Sequence, residues 1–486
     1  MKTPIPYDEH FKNVINVVST FGKASREHYE GIGLQYTEVP VIVGITGACE
    51  NVDTLFAVRS RLEIPLFLTQ TGQLALELAL AQVPGVYTII HSARDEEEED
   101  ARHLRQFRLT EEEFDCTMEG MTRENYDEDK MYEALLQHIE KATGAIISGV
   151  LKEHKDVLKK SYNRNTEALE KIVERPYLRI TYEDSLGLLN KNGFPELKWG
   201  DDLKSEHEAK IAELMNIKEN YGKDKQEFSP IFIMKYPKEI KFFNMKVSTK
   251  DDRVALSADL IFPFSGESVG SAVREEDGKK LKERLLTSTM FDIHRKRGGK
   301  YEDFYWYVEE TIMPGKTNPH AGYGIGNERL LQFIFGQDDI RVASMFSLME
   351  EKMHDWSRDN RKKALISIGQ DEDKKKLLPY LKQLAKITSE LYATEGTAKF
   401  MQENNINAKT LYKISEEKTP NIAEYLEFKR FDLIVNIPNH KKPDAITDGS
   451  MIRKKAIEKG IPLYTAVDVA ENLVDDLVKK KNGNGK

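Results

Sequence analysis

Cysteine is almost absent. Cys49 and Cys116 are the only two in 486 residues, too few for a disulfide framework or a thiolate metal cage. Long apolar runs are missing as well: mean hydropathy is −0.56, and no run approaches the roughly 18 residues that span a bilayer. The opening residues, MKTPIPYDEHFKNV, lack the basic-then-apolar layout of a secretion signal. A basic excess is lacking too. With 72 Lys and Arg against 81 Asp and Glu, the net charge is −9, so the chain as a whole does not attract nucleic acid. Internal repeats are absent, and the terminal VKKKNGNGK is the one low-complexity stretch. What remains is a globular composition, 40% hydrophobic and 31% charged. Together these features predict a soluble cytoplasmic protein with no membrane partner.

Length alone predicts about three domains at ~150 residues each, but charge divides the chain in two. Residues 362–486 hold 23 basic and 18 acidic side chains, a net of +5, and the first 361 carry −14. The polar stretch EEKMHDWSRDNRKK (350–363) joins them. This gives a first domain over 1–355, a linker at 356–362, a second domain over 363–478 and a disordered tail at 479–486. In the first, strands are expected at 37–46, 85–93, 102–109, 229–236 and 254–264, with a helical pair across 127–174. Wide spacing with helical insertions predicts an α+β domain with a mostly antiparallel sheet. In the second, strands at 363–369, 389–397, 431–438 and 462–467 alternate with helices such as 373–387, the pattern of an α/β parallel sheet.

Three stretches of the first region carry chemistry. In HSARDEEEEDARHLRQF (91–107), Arg94 and Glu96 precede an acidic loop, and Arg102, His103 and Phe107 follow it. Cations at both loop ends suit a polyphosphate, and an aromatic ring suits a base. In GYGIGNERLL (322–331), glycines 322, 324 and 326 let backbone approach a ligand, and Arg329 falls on the first turn of a helix. In SADLIFPFSGESVGSAVREED (257–277), Asp259 and Glu267 offer hard oxygens for Mg²⁺, and Arg274 can clamp a carboxylate or amide.

Taken in order, these stretches resemble the class II aminoacyl-tRNA synthetase catalytic domain of the asparaginyl/aspartyl subgroup. LQYTEVPVIVG (34–44) resembles its first motif, with Pro40 ending a dimer-forming strand. FLTQTGQLALE (67–77), WGDDLKSEHE (199–208), YPKEIKFFNMK (236–246) and GESVGSAVRE (266–275) are similar to the asparaginyl branch, and the likeness spans residues 10–345. The resemblance implies ATP and Mg²⁺ as cofactors, and a homodimer. It implies Arg94 on the α-phosphate, Glu96 on the adenine amino group, and Phe107 and Arg329 on the two faces of adenine. Arg102 and His103 would reach the outer phosphates, and Asp259 and Glu267 would bind Mg²⁺. Glu50 and Gln73 would receive the substrate's α-ammonium, and Arg274 the end of its side chain. Leu76 stands where the aspartyl branch has a lysine, which implies an asparaginyl-type pocket.

The chain also departs from that family. Only about 33 residues precede the first motif, too few for the usual five-stranded anticodon-binding barrel. The loop facing the acceptor stem in the family is here Glu96 to Asp100, five adjacent carboxylates that repel a phosphate backbone. The layout resembles the truncated, archaeal-type asparagine synthetase paralogue, which makes asparagine from aspartate, ATP and ammonia.

Residues 363–478 resemble a methylglyoxal-synthase-like domain, closest to the allosteric domain of carbamoyl-phosphate synthetases. That resemblance implies phosphate binding at strand-to-helix turns through Lys374, Thr394, Gly396, Thr397 and Lys413, with Asn436 nearby. The reading that follows is an AMP-forming ligase that activates aspartate or asparagine, transfers the acyl group to ammonia or a small amine, and is tuned by a phosphorylated effector. The alternatives are an asparagine–tRNA ligase without an anticodon-binding domain, which keeps tRNA as a partner, and a non-catalytic nucleotide sensor.

Overall fold

The computed structural model describes residues 9–45, 54–61, 65–95, 101–344, 362–416, 421–427, 431–439, 448–458 and 461–483. Two compact units emerge, Met1–Leu348 and Met349–Lys486, each with its own apolar core. Among the described residues no helix is long and apolar enough to cross a membrane. Glu50, Glu96 to Asp100, residues 356–361 of the expected linker, and residues 484–486 of the expected tail lie outside the described residues.

The first unit runs α1 (Glu9–Gly31), β1 (Gln35–Tyr36), β2 (Ile42–Val43), β3 (Phe67–Leu68), α2 (Gln73–Ala79), β4 (Gly85–Ala93), β5 (Gln106–Asp115) and α3 (Glu128–Tyr162). There follow α4 (Thr166–Glu174), β6 (Leu178–Thr181), α5 (Tyr182–Asn190), α6 (Ser205–Lys218), β7 (Ile231–Met234), β8 (Ser257–Phe262), β9 (Gly266–Val273) and β10 (His320–Gly326). Eight strands form one sheet in the order β1-β4-β5-β10-β9-β8-β7-β6. Its pairs are antiparallel except β1 with β4 and β6 with β7, as expected for an α+β core.

Boundaries moved where the residues explain it. The strand expected at 37–46 shortens to β2, which pairs with β3 in a separate ribbon, while β1 lies ahead of that range and pairs with β4; Pro40 between them offers no donor for a continuous ladder. The strand expected at 102–109 begins at Gln106 and runs on through Glu111, Glu112 and Glu113. All three carboxylates are buried. The glycine-rich stretch 322–326 lies in strand β10.

The expected helical pair is α3 and α4. Asp127 caps α3, accepting from the N–H groups of Asp129 and Lys130 at 3.0 and 3.2 Å, which satisfies two otherwise orphaned donors. Along α3 the buried Met131, Leu135, Ile139, Ala142, Ile146 and Val150 keep helical spacing. They pack on the sheet and on Val14, Val17 and Phe21 of α1, each aliphatic side chain contributing about 1.5–3 kcal/mol.

The second unit is a five-stranded parallel sheet in the order β13-β12-β11-β14-β15. Its strands are β11 (Lys362–Ile368), β12 (Thr388–Thr394), β13 (Lys409–Leu411), β14 (Leu433–Ile437) and β15 (Leu463–Tyr464). Ala364 and Ile366 face one core and Leu365 the other, so the sheet is covered on both sides, as near-continuous apolar strands require. The last helix, Val467–Gly483, continues through Lys479 to Gly483. That corrects the start of the expected disordered tail, because lysines sustain a helix well.

Helices α1 and α3 meet through small residues. A methyl group added at Gly149 would stand 2.7 Å from Ala24 Cβ, well inside contact distance. Gly149→Leu is therefore expected to force the helices apart and to lower stability by about 1–3 kcal/mol. A urea midpoint equal to that of the wild type would show that the pair separates freely.

Candidate active site

A cleft of about 500 Å³ opens over the central strands of the first unit. Its floor follows from strand register. Glu111 pairs with Gly324, Gly324 with Gly270, and Gly270 with Asp259, so one row across four strands runs carboxylate, glycine, glycine, carboxylate. The glycines leave the middle low. One row over, Gly322 pairs with Glu113, and a Cβ at Gly322 would lie 2.1 Å from the Glu113 carboxyl carbon. Gly322 therefore makes room for a side chain of its own sheet, a role different from the expected approach to a ligand.

The cleft gathers nine of the expected residues: Gln73, Arg94, Arg102, His103, Phe107, Asp259, Glu267, Arg274 and Arg329. Glu50 and Glu96 lie outside the described residues. The Arg94 guanidinium stands 5.3 Å from the centre of the Phe107 ring, a cation beside an aromatic face. Arg329, on the first turn of the helix Asn327–Phe335, donates to the Glu267 carbonyl. Leu76 does not face the cleft. It is fully buried with Leu80 and Val86. Its neighbour Glu77 is also fully buried, one layer behind Gln73 and Arg274, which do line the cleft.

Glu77 belongs to a buried network absent from the sequence reading. It accepts from Gln73 Nε2 at 2.9 Å, Asn244 Nδ2 at 3.1 Å and the Tyr307 hydroxyl at 2.6 Å. Its other close partners are His320 Nε2 at 3.2 Å and Arg274 Nε at 3.7 Å. Arg274 in turn donates to Glu113 at 2.5 Å. Glu77, Glu113 and His320 hold ligand atoms within 4.8 Å of one another, the geometry of a metal cage. The Arg274 guanidinium already lies against both carboxylates, so the cation of this cluster is an arginine.

Burial alone would raise the Glu77 carboxyl, but the hydrogen bond and charge of His320, with Arg274 and Tyr307, hold it below its ordinary range. Burial opposes a charged His320, and Glu77 and Glu113 overcome it, raising its pKa. Glu113 is pushed upward by burial, against Arg274. Burial takes Glu111 up to about 7 although it accepts from the Thr71 hydroxyl at 2.6 Å and the Gly72 N–H at 2.7 Å.

The second wall holds Asp259 and Glu267 on adjacent strands. Both offer only oxygen donors, and a Cβ at Gly270 would stand 3.6 Å from Glu267 Oε1, so bare backbone leaves space beside them. This donor set fits Mg²⁺. Glu208, from α6, accepts from Arg102 at 3.3 Å and from the Glu267 N–H at 3.3 Å. Burial, reinforced by Glu267, lifts its pKa to about 7. Gly266, at φ +69°, abuts both Arg102 and Glu208, where any side chain would clash and strain the turn.

In the second unit the expected residues converge at the C-terminal ends of the parallel strands. Thr394 ends β12, and its hydroxyl donates to Thr397 Oγ1 at 3.3 Å. Thr397 Oγ1 also accepts from the Ile368 N–H at 3.1 Å. Lys374 is buried and pairs with Asp371 at 2.9 Å, and a Cβ at Gly396 would lie 4.0 Å from its Nζ. Asn436 Oδ1 accepts from Arg453 Nη1 at 2.7 Å, and Asn436 Nδ2 is buried with no partner among the described residues. Lys413 is half-buried at the end of the neighbouring strand. Arg453 was not expected.

Comparison with known proteins agrees with this anatomy. The family model for tRNA synthetases class II (D, K and N) matches residues 5–350, and an MGS-like domain model matches 376–465. The asparagine–tRNA ligase of Pyrococcus furiosus is 30% identical over 335 residues, 68% of this chain and 67% of that protein. The asparagine–tRNA ligase of Nostoc sp. is 30% identical over 360 residues, covering 69% and 70%. Among solved structures, asparaginyl-tRNA synthetase from Pyrococcus horikoshii complexed with asparaginyl-adenylate superposes with a TM-score of 0.57 at 27% identity, covering 69% of this chain and 68% of that one.

The opposed shifts of Glu77 and His320 fix a pH window. The His320 contribution is complete below its unfolded value of 6.5 and is lost as pH rises through the raised folded value. The Glu77 contribution is present above 4.5 and is lost as pH falls through the lowered one. The gap in urea midpoint between wild type and Glu77→Gln is therefore expected to be widest between pH 4.5 and 6.5, narrowing on either side. A gap independent of pH would mean the pair is not ionised.

Proposed function

The chain belongs to the class II tRNA synthetases of the D, K and N type, and from that premise we propose that it is an ATP-dependent, AMP-forming ligase acting on asparagine or aspartate. In this reading the substrate carboxylate attacks the α-phosphorus of ATP, the bond to the leaving pyrophosphate oxygen breaks, and an aminoacyl-adenylate forms. Ammonia or a small amine then attacks the acyl carbon, AMP leaves, and the nitrogen loses a proton.

One observation carries the proposal: a single cleft holds arginines for phosphates, oxygen donors for a metal, and a matched donor–acceptor pair for a side chain. Arg94 and Arg329 are assigned to the charge that builds on the phosphates, where fixed guanidinium groups stabilise a transition state without reorganising. Arg102, held by Glu208, and His103 are assigned to the outer phosphates, and Phe107 to the adenine face. Asp259 and Glu267 would hold Mg²⁺, which supplies further neutralisation of phosphate charge when bound. Gln73 is assigned, with Glu50, to the α-ammonium.

Arg274 and Glu113 offer a donor and an acceptor side by side, the complement of a primary amide. That supports asparagine as either substrate or product. An aspartate side chain meets the same pair when Glu113 is protonated, a state that its burial favours. The identities of the relatives favour a second reading, an asparagine–tRNA ligase, since those compared are ligases of that name. The exposed apolar residues Tyr36, Val41 and Ile42 around β1 and β2 support a homodimer. In the second unit, buried hydroxyls, Asn436 and Lys374 support a phosphorylated effector.

Pyrophosphate exchange driven by asparagine or aspartate is expected without tRNA, and Arg329→Ala should reduce it by about 100-fold or more in a folded protein. Exchange driven best by an aliphatic or basic amino acid would overturn the assignment. AMP release that depends on ammonia supports the first acceptor, and release that depends on tRNA supports the second. For the effector, calorimetry of the full chain against nucleotides and sugar phosphates should show binding that Lys374→Met weakens by about 10-fold or more. Equal affinity in both proteins would remove Lys374 from the site.

A further inference from the structure

The Asp259 side of the metal position already has a cation. Lys241 Nζ stands 2.6 Å from Asp259 Oδ2 and 3.9 Å from the centre of the Tyr236 ring. The lysine side chain is 14% exposed and the aspartate 9%, so the pair is largely out of water. Asp202 and Glu267 line the same cleft, and the charge of each, with that of Asp259, acts on this ammonium.

Mg²⁺ seated on Asp259 at about 2.0–2.1 Å comes close to this ammonium whichever carboxylate oxygen it takes. Were the lysine to stay, the incoming dication would face a like charge in a poorly screened pocket. A polyphosphate relieves the conflict, because its oxygens can accept the released ammonium while the metal takes the carboxylates. We propose that Lys241 is a resident cation that blocks metal from Asp259 in the nucleotide-free protein, so that metal and nucleotide enter together. The coupling is reciprocal: each ligand raises the affinity of the other by the same factor. This inference rests on Asp259 and Glu267 being the metal ligands, as proposed above.

Mn²⁺ is the probe, followed in the full-length protein by loss of the free-ion electron paramagnetic resonance signal. Wild type, Lys241→Met and Lys241→Arg are compared without nucleotide and with a non-hydrolysable ATP analogue, corrected for Mn²⁺ held by the free analogue. Without nucleotide, Lys241→Met is expected to bind Mn²⁺ about 10-fold or more tightly than wild type, with Lys241→Arg resembling wild type. Adding Asp259→Asn should abolish that gain, which assigns the ion to this carboxylate. With the analogue, wild type should close most of the gap. Lys241→Gln serves if circular dichroism shows the methionine variant misfolded. Equal Mn²⁺ affinity of wild type and variant without nucleotide overturns the role of Lys241 and leaves the metal ligands standing. No Mn²⁺ binding by any form, even with the analogue, overturns both.

Discussion

The first unit is organised around the cost of burying carboxylates in the middle of a sheet. Glu77, Glu111, Glu113 and Asp259 are all buried around one cleft, and an isolated buried carboxylate is unstable as an anion. Each is therefore tied to a specific partner: His320 and Arg274 for Glu77, Thr71 and Gly72 for Glu111, Arg274 for Glu113, Lys241 for Asp259. Cations and donors come from four different segments of the chain, so the charges lock distant elements into one register. Deleting one partner strands the other, which makes the site rigid in a way that apolar packing alone does not.

The same ties explain the glycines. Gly322 lets the Glu113 side chain lie flat against the strand, and Gly270 and Gly324 keep the floor between the two acidic walls free of side chains. Strand pairing brings these positions opposite one another although some 160 residues separate Glu113 from Arg274. Sheet register, set by the apolar face beneath, is what makes the upper face a site.

Much of this was legible in the sequence, and the gaps have physical causes. The two-part division, the mixed sheet and eight of the cleft residues could be read from charge, strand spacing and three stretches rich in arginine, glycine and carboxylate, and the ninth, Gln73, came from the family resemblance. Glu111 and Glu113 were overlooked because a run of three glutamates looks solvated. The signal was the company they keep, since RLTEEEFD leads into a buried phenylalanine, and alternation puts the first and third carboxylate on one face. Glu77 and His320 carried weaker marks: Gln73 and Glu77 have helical i, i+4 spacing, and His320 opens a strand of small residues. Leu76 was read from the family likeness, and its seven-residue helix turns it onto Leu80 and Val86. Lys241 could not be found from sequence at all, since its importance lies in a contact with a strand 18 residues away.

The second unit solves a related problem with less charge. At the ends of β11, β12 and β14 the buried polar groups are mainly hydroxyls and an amide, with Lys374 and Arg453 each already turned to a neighbour. Neutral groups can remain buried without a fixed counterion, so this surface keeps its shape whether or not an anion is present. The cleft of the first unit has less freedom, because Glu77, Glu113 and Asp259 each lie against a cation. Two kinds of chemistry thus follow from two kinds of burial. Where the buried groups are charged, binding a charged ligand is an exchange of partners. Where they are neutral, the proposed anion would be an addition, its affinity set by the few cations that can turn toward it.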